Sequence, residues 1–280
     1  MRVTLLGVII SVLALVSCKK DESAEQAFFM RADQIKVTPT TKQGSASHKI
    51  TDLWLYVNGQ FQGAYPANAL MPIVSKGEKV NINIFAGIKN NGISNTRINW
   101  NFYDVFTLDT FVTTNTNIVR NINFNYNPYV TFAWIESFDG NAGVSLKKSP
   151  VSSNSYYYAD AADCFEGRSV YLTLSGDSII SQIESTNSYS LQTGNSNVYL
   201  ELNYKGNEDF AVGLIGDDGS FKGALNVAAS EYWNKIYIQL SSAVSSEPVS
   251  TKYKVAFKLL KTGDLDPKIF LDNIKLVYIQ

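Results

Sequence analysis

The 280-residue sequence predicts an all-β protein made of two β-sandwich units. Three observations carry this. Apolar and polar residues alternate with period two in one stretch after another, while helical periodicity is sustained nowhere. Turn formers, Asn58-Gly59 and Gly216-Asp217-Asp218-Gly219 among them, punctuate those stretches at short spacing. The alternation breaks at Asn127-Pro128, which divides a first unit, residues 34–127, from a second, residues 128–280.

Before the first unit, Arg2 is the only charge ahead of Lys19, and the run VTLLGVIISVLALVS lies between them. A span of the ~30 Å hydrocarbon core takes about 20 helical residues, more than this run supplies. A positive start, a short apolar core and small residues at its end make residues 1–17 a secretory signal. The residues Leu15-Val16-Ser17-Cys18 resemble the bacterial lipobox. That resemblance implies cleavage before Cys18 and a diacylglycerol thioether on its thiol, so the first expected partner is a membrane, held through the lipid anchor. Lys19-Lys20-Asp21-Glu22 resembles the export signal of Bacteroidota-type surface lipoproteins, which implies an outer-membrane protein facing the cell exterior. Residues 18–33 read as anchor and tether, with Phe28, Phe29 and Met30 docking on the first domain.

Composition narrows the function. A net charge of −1 and the lack of a basic patch exclude a nucleic-acid partner. Hydrophobic content of 45% supports real cores. With Cys18 acylated, Cys164 has no disulfide partner and reads as a small buried hydrophobe. A Ser-His-Asp triad or a catalytic thiol would have to be built on His48, which sits in a Gly/Ser/Thr loop and reads as solvated. Glycoside hydrolysis needs two facing carboxylates. None of Glu136, Asp139, Glu166, Glu184 and Glu201 lies in a distinctive motif, and Glu201 reads as a solvated acid on an outward strand face. No zinc-type spacing or phosphate loop is present, so no catalytic residue is assigned.

In the first unit, Leu53, Leu55 and Val57 share one face of a strand, with Trp54 and Tyr56 on the other. Asn58-Gly59 closes a hairpin, because both residues accept positive φ. Val80, Ile82 and Ile84 alternate with asparagines, as do Ile122, Phe124 and Tyr126. The run VNGQFQGAYP…PIVSKGEKVNINIFAGIK resembles PEGA-type and carboxypeptidase-regulatory-type sandwich modules. This implies a surface or envelope spacer. Beyond it, Trp100, Phe102 and Tyr103 form an unusually aromatic segment.

In the second unit Val130, Phe132 and Trp134 alternate with Tyr129, Thr131 and Ala133. Further strands read GRSVYLTLSG, NVYLELNYKG, DFAVGLIG, WNKIYIQLSS, YKVAFKLLK and KIFLDNIKLVYIQ. WIESFDG, VYLELNYKGNEDFAVGL and IFLDNIKLVY resemble the opening, central and closing strands of the galactose-binding-like jelly roll of many carbohydrate-binding modules. The resemblance implies a jelly roll over residues 128–280. It also implies a structural calcium between the opening and closing strands, at Asp139 and Asp272, as the one expected cofactor. Without it, Asp139 forms a turn with Gly140 and Asp272 caps its strand.

Sandwich proteins bind sugars on exposed aromatic rings flanked by polar donors. The candidates are Tyr156, Tyr157 and Tyr158, with Trp100 and Trp233. Three adjacent tyrosines on a strand cannot share one face, so at least one points outward. The expectation is a lipid-anchored, surface-exposed, non-catalytic glycan-binding protein. The alternative is a structural or adhesive envelope protein that binds a protein partner.

Overall fold

A computed structural model describes residues 26–75, 79–111, 117–140, 143–174, 176–191, 197–245, 251–261 and 266–279. The first domain contains β1 (Gln26–Val37), β2 (Asp52–Val57), β3 (Gln60–Pro66), β4 (Met71–Ser75), β5 (Lys79–Lys89), β6 (Arg97–Asn99), β7 (Phe106–Phe111) and β8 (Asn117–Phe124). One sheet runs β4-β1-β8; the other runs β3-β2-β5-β6, with β7 also paired to β5. The alternating residues Leu53, Leu55, Val80, Ile82 and Ile84 are fully buried in a core shared with Phe28, Met30, Ile73 and Ile122. Asn58 and Gly59 turn the β2–β3 hairpin at φ +50° and +79°.

The tether assigned to residues 18–33 needs correction. Its residues from Gln26 onward belong to β1, which lies at the centre of its sheet, antiparallel to β4 and parallel to β8. Phe28 and Met30 are buried in the core, whereas Phe29 points outward. Cys18 and the signal segment lie outside the described residues.

The second domain contains β9 (Val130–Glu136), β10 (Leu146–Lys148), β11 (Tyr157–Tyr158), β12 (Val170–Thr173), β13 (Ile180–Ser185), β14 (Tyr189–Ser190), β15 (Asn197–Gly206), β16 (Phe210–Ile215), β17 (Phe221–Val227), β18 (Ser230–Gln239), β19 (Lys252–Leu260) and β20 (Lys268–Ile279), with a short helix α1 (Ser241–Ser245). Two sheets face each other: β10-β13-β19-β16-β17 with β14 on β19, and β11-β12-β20-β15-β18 with β9 on β20. Ile183, Val212, Leu214 and Phe257 of the first meet Leu172, Leu200, Leu202, Leu271 and Leu276 of the second. This is an all-β, layered sandwich.

β20 changes partner along one edge. Its first half pairs with β12, at Lys268 to Leu271, and its second half with β9, from Ile274 onward. At the change Asn273 takes φ +47° and the register against β15 slips, which is a β-bulge. The bulge divides the outer face of this sheet in two.

The first domain covers one half of that face. Tyr199, Tyr237 and Val277 belong to its core cluster rather than to their own domain's. Trp100 stacks on Phe102 at 4.3 Å and meets Tyr199 and Tyr237 at 4.8 Å each. Behind these rings lies a charged group. Glu201 is fully buried, with Lys235 Nζ 2.9 Å from its Oε2. That contact is an ion pair without an aligned hydrogen bond, since Lys235 Nζ makes none. Tyr126 Oη, from the first domain, donates to Glu201 and accepts from Lys275 Nζ at 3.0 Å. Lys275 Nζ also donates to Ser45 O at 2.6 Å. The solvated Glu201 of the sequence reading is therefore corrected: its outward face is the domain junction. His48 is corrected too, being half-buried with Nε2 3.2 Å from Ile35 O, and burial holds its pKa down.

Burial alone would push the Glu201 carboxyl up, but the charges of Lys235 and Lys275 bring it below the usual range. Lys275 reaches Glu201 only through Tyr126, so its desolvation is less compensated, and burial holds its ammonium down at about 8. Between about 8 and the unfolded value near 10.4, the unfolded chain binds more protons at this site, so stability rises with pH there. From about pH 9 upward that gain is outweighed: unfolded tyrosines begin to lose protons that burial makes Tyr103, Tyr126, Tyr199, Tyr237 and others retain, and stability falls. We expect denaturant midpoints to rise from pH 8 to about 9 and then drop, with the rise reduced in Lys275→Met. A wild-type profile that falls from pH 8 without any rise would contradict the assignment. Glu201→Ala leaves two buried cations unpaired and should cost about 3–5 kcal/mol in urea unfolding.

Candidate functional site

The half of the outer face that the first domain leaves open carries a row of side chains across five strands. Tyr157 on β11 is paired with Tyr171 on β12, Tyr171 with Phe270 on β20, and Phe270 with Lys205 on β15. Period two places all four on the same side as the buried junction residues, because Leu172, Ile269, Leu271 and Leu202 point into the core. Trp233 on the edge strand β18 completes the row. Ring centroids are 5.4 Å apart for Tyr157–Tyr171, 5.6 Å for Tyr171–Phe270 and 6.4 Å for Phe270–Trp233, and Phe165 lies 5.5 Å beyond Trp233. Five strands at about 4.8 Å spacing make a strip about 19 Å long.

Two ammonium groups lie along the rings. Lys268 Nζ is 4.0 Å from the Tyr171 centroid and 4.9 Å from that of Phe270. Lys205 Nζ is 4.6 Å from Phe270 and 5.6 Å from Trp233. Lys205 is held by Asp163 Oδ1 at 2.6 Å, and the Trp233 indole N–H donates to Asp163 O at 3.2 Å. The 161–165 turn thus orients both the lysine and the tryptophan. Asp163's carboxyl stays below the usual range chiefly through its hydrogen bond to Lys205. Beside the row, Lys205, Lys268 and Phe270 line a hollow of about 480 Å³ with Asn207 and Glu231. Phe270 is itself only 7% exposed, with both ammonium groups within 5 Å of its ring, and successive rings tilt by 27°, 45° and 63°. The arrangement therefore offers ring surface at Tyr157, Tyr171 and Trp233 with cationic and amide donors between them, which suits a ring carrying hydroxyl groups.

The sequence-selected tyrosines divide as alternation requires. Tyr157 joins the row at 47% exposure. Tyr158 is equally exposed but lies against Arg168, whose guanidinium stands 5.2 Å from its ring. Tyr156 packs partly on the core. Trp233 is half-buried with its ring in the row. Trp100 is corrected: at 1% exposure it is a pin of the domain junction with no surface to offer a ligand. Cys164 is not a core residue either; it is half-exposed, its Sγ 3.4 Å from Asp160 O. The sequence reading missed Tyr171, Phe270, Lys205 and Lys268. The available signal was an outward aromatic on each of two strands, in VYLTL and KIFLDN.

Asp139 and Asp272 do come together, around the turn 166–169. Asp139 Oδ1 accepts the Arg168 N–H at 2.7 Å. Asp272 Oδ2 accepts from Ser169 Oγ at 2.7 Å and the Glu166 N–H at 3.1 Å, and its Oδ1 takes the Asn273 N–H at 2.7 Å. Burial, with a smaller contribution from Asp139's charge, holds Asp272 up at about 6. The oxygens named are each taken by a donor, and among the described residues no three His, Cys, Asp or Glu side chains are grouped to hold a metal. This set does not fit an ion that takes six to eight oxygen ligands. The carboxylates instead tie the turn to the β20 bulge. Gly167 sits there at φ +48°, and a Cβ would collide with Asp139 Oδ1.

No family model matches the chain, and no curated protein matches it. Among solved structures it is similar to carbohydrate-binding modules of the β-sandwich superfamily, at 12% identity and TM-score 0.42, over 93% of this chain and 100% of that one. It is also similar to a family 29 module variant complexed with cellulohexaose, at 10% identity and TM-score 0.37, over 54% and 93%. A family 11 module of a cellulosomal cellulase of Clostridium thermocellum matches at 13% identity and TM-score 0.35, over 52% and 95%. At these scores and identities the likeness carries no argument about ligand.

Gly167→Ala should cost about 1–3 kcal/mol through its forced left-handed backbone and lost space. Thermal melts should show this drop, whereas adding calcium or EDTA to the wild type should leave the melting temperature unmoved. A calcium-dependent rise would return Asp139 and Asp272 to the role of ligands.

Proposed function

We propose that this chain is a lipid-anchored, surface-facing, non-catalytic glycan-binding protein whose second domain holds the ligand. The observation that carries this is the set of accessible rings Tyr157, Tyr171 and Trp233, joined through the buried Phe270 on a sheet face whose other half is covered. Extended rings suit stacking against the apolar faces of successive sugars. The lysines, Asn207 and the Trp233 surroundings supply hydrogen bonds at the edges. Anchoring rests on the Leu15-Val16-Ser17-Cys18 motif, and surface exposure on the charged residues after it.

A glycan array probed with the full chain should return an oligosaccharide class. Burying a tryptophan or tyrosine ring against a ligand contributes about 1.5–3 kcal/mol, so Trp233→Ala or Tyr171→Ala should each weaken binding about tenfold or more. Trp100→Phe should leave affinity unchanged, since that ring is buried at the junction. Equal affinity in wild type and a Trp233→Ala, Tyr171→Ala double variant would refute the platform. Mass spectrometry of the native protein should find the leader removed and Cys18 acylated.

A second reading, an adhesive or structural envelope component that binds protein, is favoured by one feature of the first domain. Trp54, Tyr56, Phe61 and Phe85 cluster on the outer face of β2, β3 and β5, with centroids 5.1–5.5 Å apart, and Phe61 is 51% exposed. Under that reading Phe61→Ser abolishes partner capture and leaves glycan affinity intact.

A further inference from the structure

A second concavity, of about 360 Å³, lies at the junction of the two domains, away from the aromatic row. Its wall from the first domain includes Lys49, Lys89 and Asn91; its wall from the second includes Asn234, Lys235 and Tyr204. Three lysines line it and no aspartate or glutamate does. That is unusual in a chain whose acids, at 25, slightly outnumber its lysines and arginines, at 24.

Two of these amines, those of Lys49 and Lys89, are held in place without being neutralised. Lys49 Nζ is bound to Asn234 Oδ1, and Asn234 Nδ2 donates to Tyr204 Oη at 3.1 Å. The partner of Lys89 Nζ is the Ser94 hydroxyl, at 3.4 Å. Both partners are uncharged. Lys235 is 5% exposed, and its single acid, Glu201, is shared with Lys275 inside the junction. Asp52, next to the wall residue Thr51, is taken by Arg97 at 2.8 Å. Asn91 is fixed by two bonds, its N–H to Tyr237 O at 2.9 Å and its Oδ1 to the Gln239 N–H at 2.8 Å. Its Nδ2 has no partner among the described residues. Burial and the charge of Lys89 both hold Lys49's ammonium below its ordinary range, in keeping with like charges facing one another across a partly dry space.

We propose that this cleft binds an oxyanion, with Lys49 and Lys89 as its principal holders and Asn91 as an added donor. A carboxylate or sulfate there would accept charge-assisted hydrogen bonds and relieve the repulsion between the amines. The group can arrive free, as an inorganic anion, or carried by an acidic sugar. Because Lys49 and Lys89 belong to one domain and Asn234 and Lys235 to the other, the bound anion bridges both and stabilises their docked arrangement.

The experiment titrates the full chain with sodium sulfate and, separately, sodium glucuronate, at ionic strength held constant with sodium chloride. Melting temperature and calorimetric heat are both read. A saturable response is expected. Sulfate alone would identify the inorganic or ester source, and glucuronate alone the uronate. Lys49→Met and Lys89→Met should each weaken it about tenfold or more, the loss of one charged hydrogen bond. Lys89→Arg should retain it, and so should Lys148→Met, an exposed lysine on β10 outside both concavities. Melting of the anion-free variants controls for folding, and the methionine substitutions should not lower it, since they remove repulsion. No saturable response to either anion, or a response that survives in the Lys49→Met, Lys89→Met double variant, would overturn the proposal.

Discussion

The architecture depends on a carboxylate at the meeting of two domains. Glu201 projects from the outer face of a sheet, where a lone strand carboxylate would ordinarily be hydrated. Here the first domain closes over it, so water must be replaced by Lys235, Lys275 and the Tyr126 hydroxyl. Such a group adds little net stability compared with apolar packing, but breaking it is costly. It therefore acts as a test of fit. Tyr126 bridges the acid and Lys275 only when the domains dock in one register, and Trp100, wedged between Tyr199 and Tyr237, supplies the apolar contact around it.

That docking determines where a ligand is able to go. An exposed sheet face this rich in aromatics would be a long apolar surface. The first domain hides the half beyond the bulge, and the open half keeps a single strip of rings with lysine stems between them. The bulge at Asn273 has a part in this. It marks where β20 exchanges β12 for β9 as its neighbour, and the Asp272 carboxylate beside it anchors the turn that leads into β12 and Tyr171. The position of one ring in the row thus traces back to a backbone irregularity.

Much of the fold was legible because alternation is a local property. Leu53, Leu55, Val80 and Ile82 announce their buried face in a few residues, and Asn58-Gly59 announces its turn. The strand at residues 26–33 carried the same signal, with Phe28, Met30 and Ala32 inward and Phe29, Arg31 and Asp33 outward. Its nearness to a charged segment made it read as a tether. The fates of Trp100, His48 and Glu201 were not legible, because each is buried by a domain remote in sequence. Of the site, Tyr157 and Trp233 could be chosen from residue type and adjacency. Their neighbours Tyr171 and Phe270 required knowing that β12 pairs with β20.

The central placement of β1 bears on how the molecule withstands tension. Hydrogen bonds run across a strand, so a pull along β1 from residue 26 loads its bonds to β4 and β8 together and in shear, rather than unzipping them in turn. A hairpin at a sheet edge would peel. The N-terminal end of the described chain is therefore set to give way all at once rather than strand by strand.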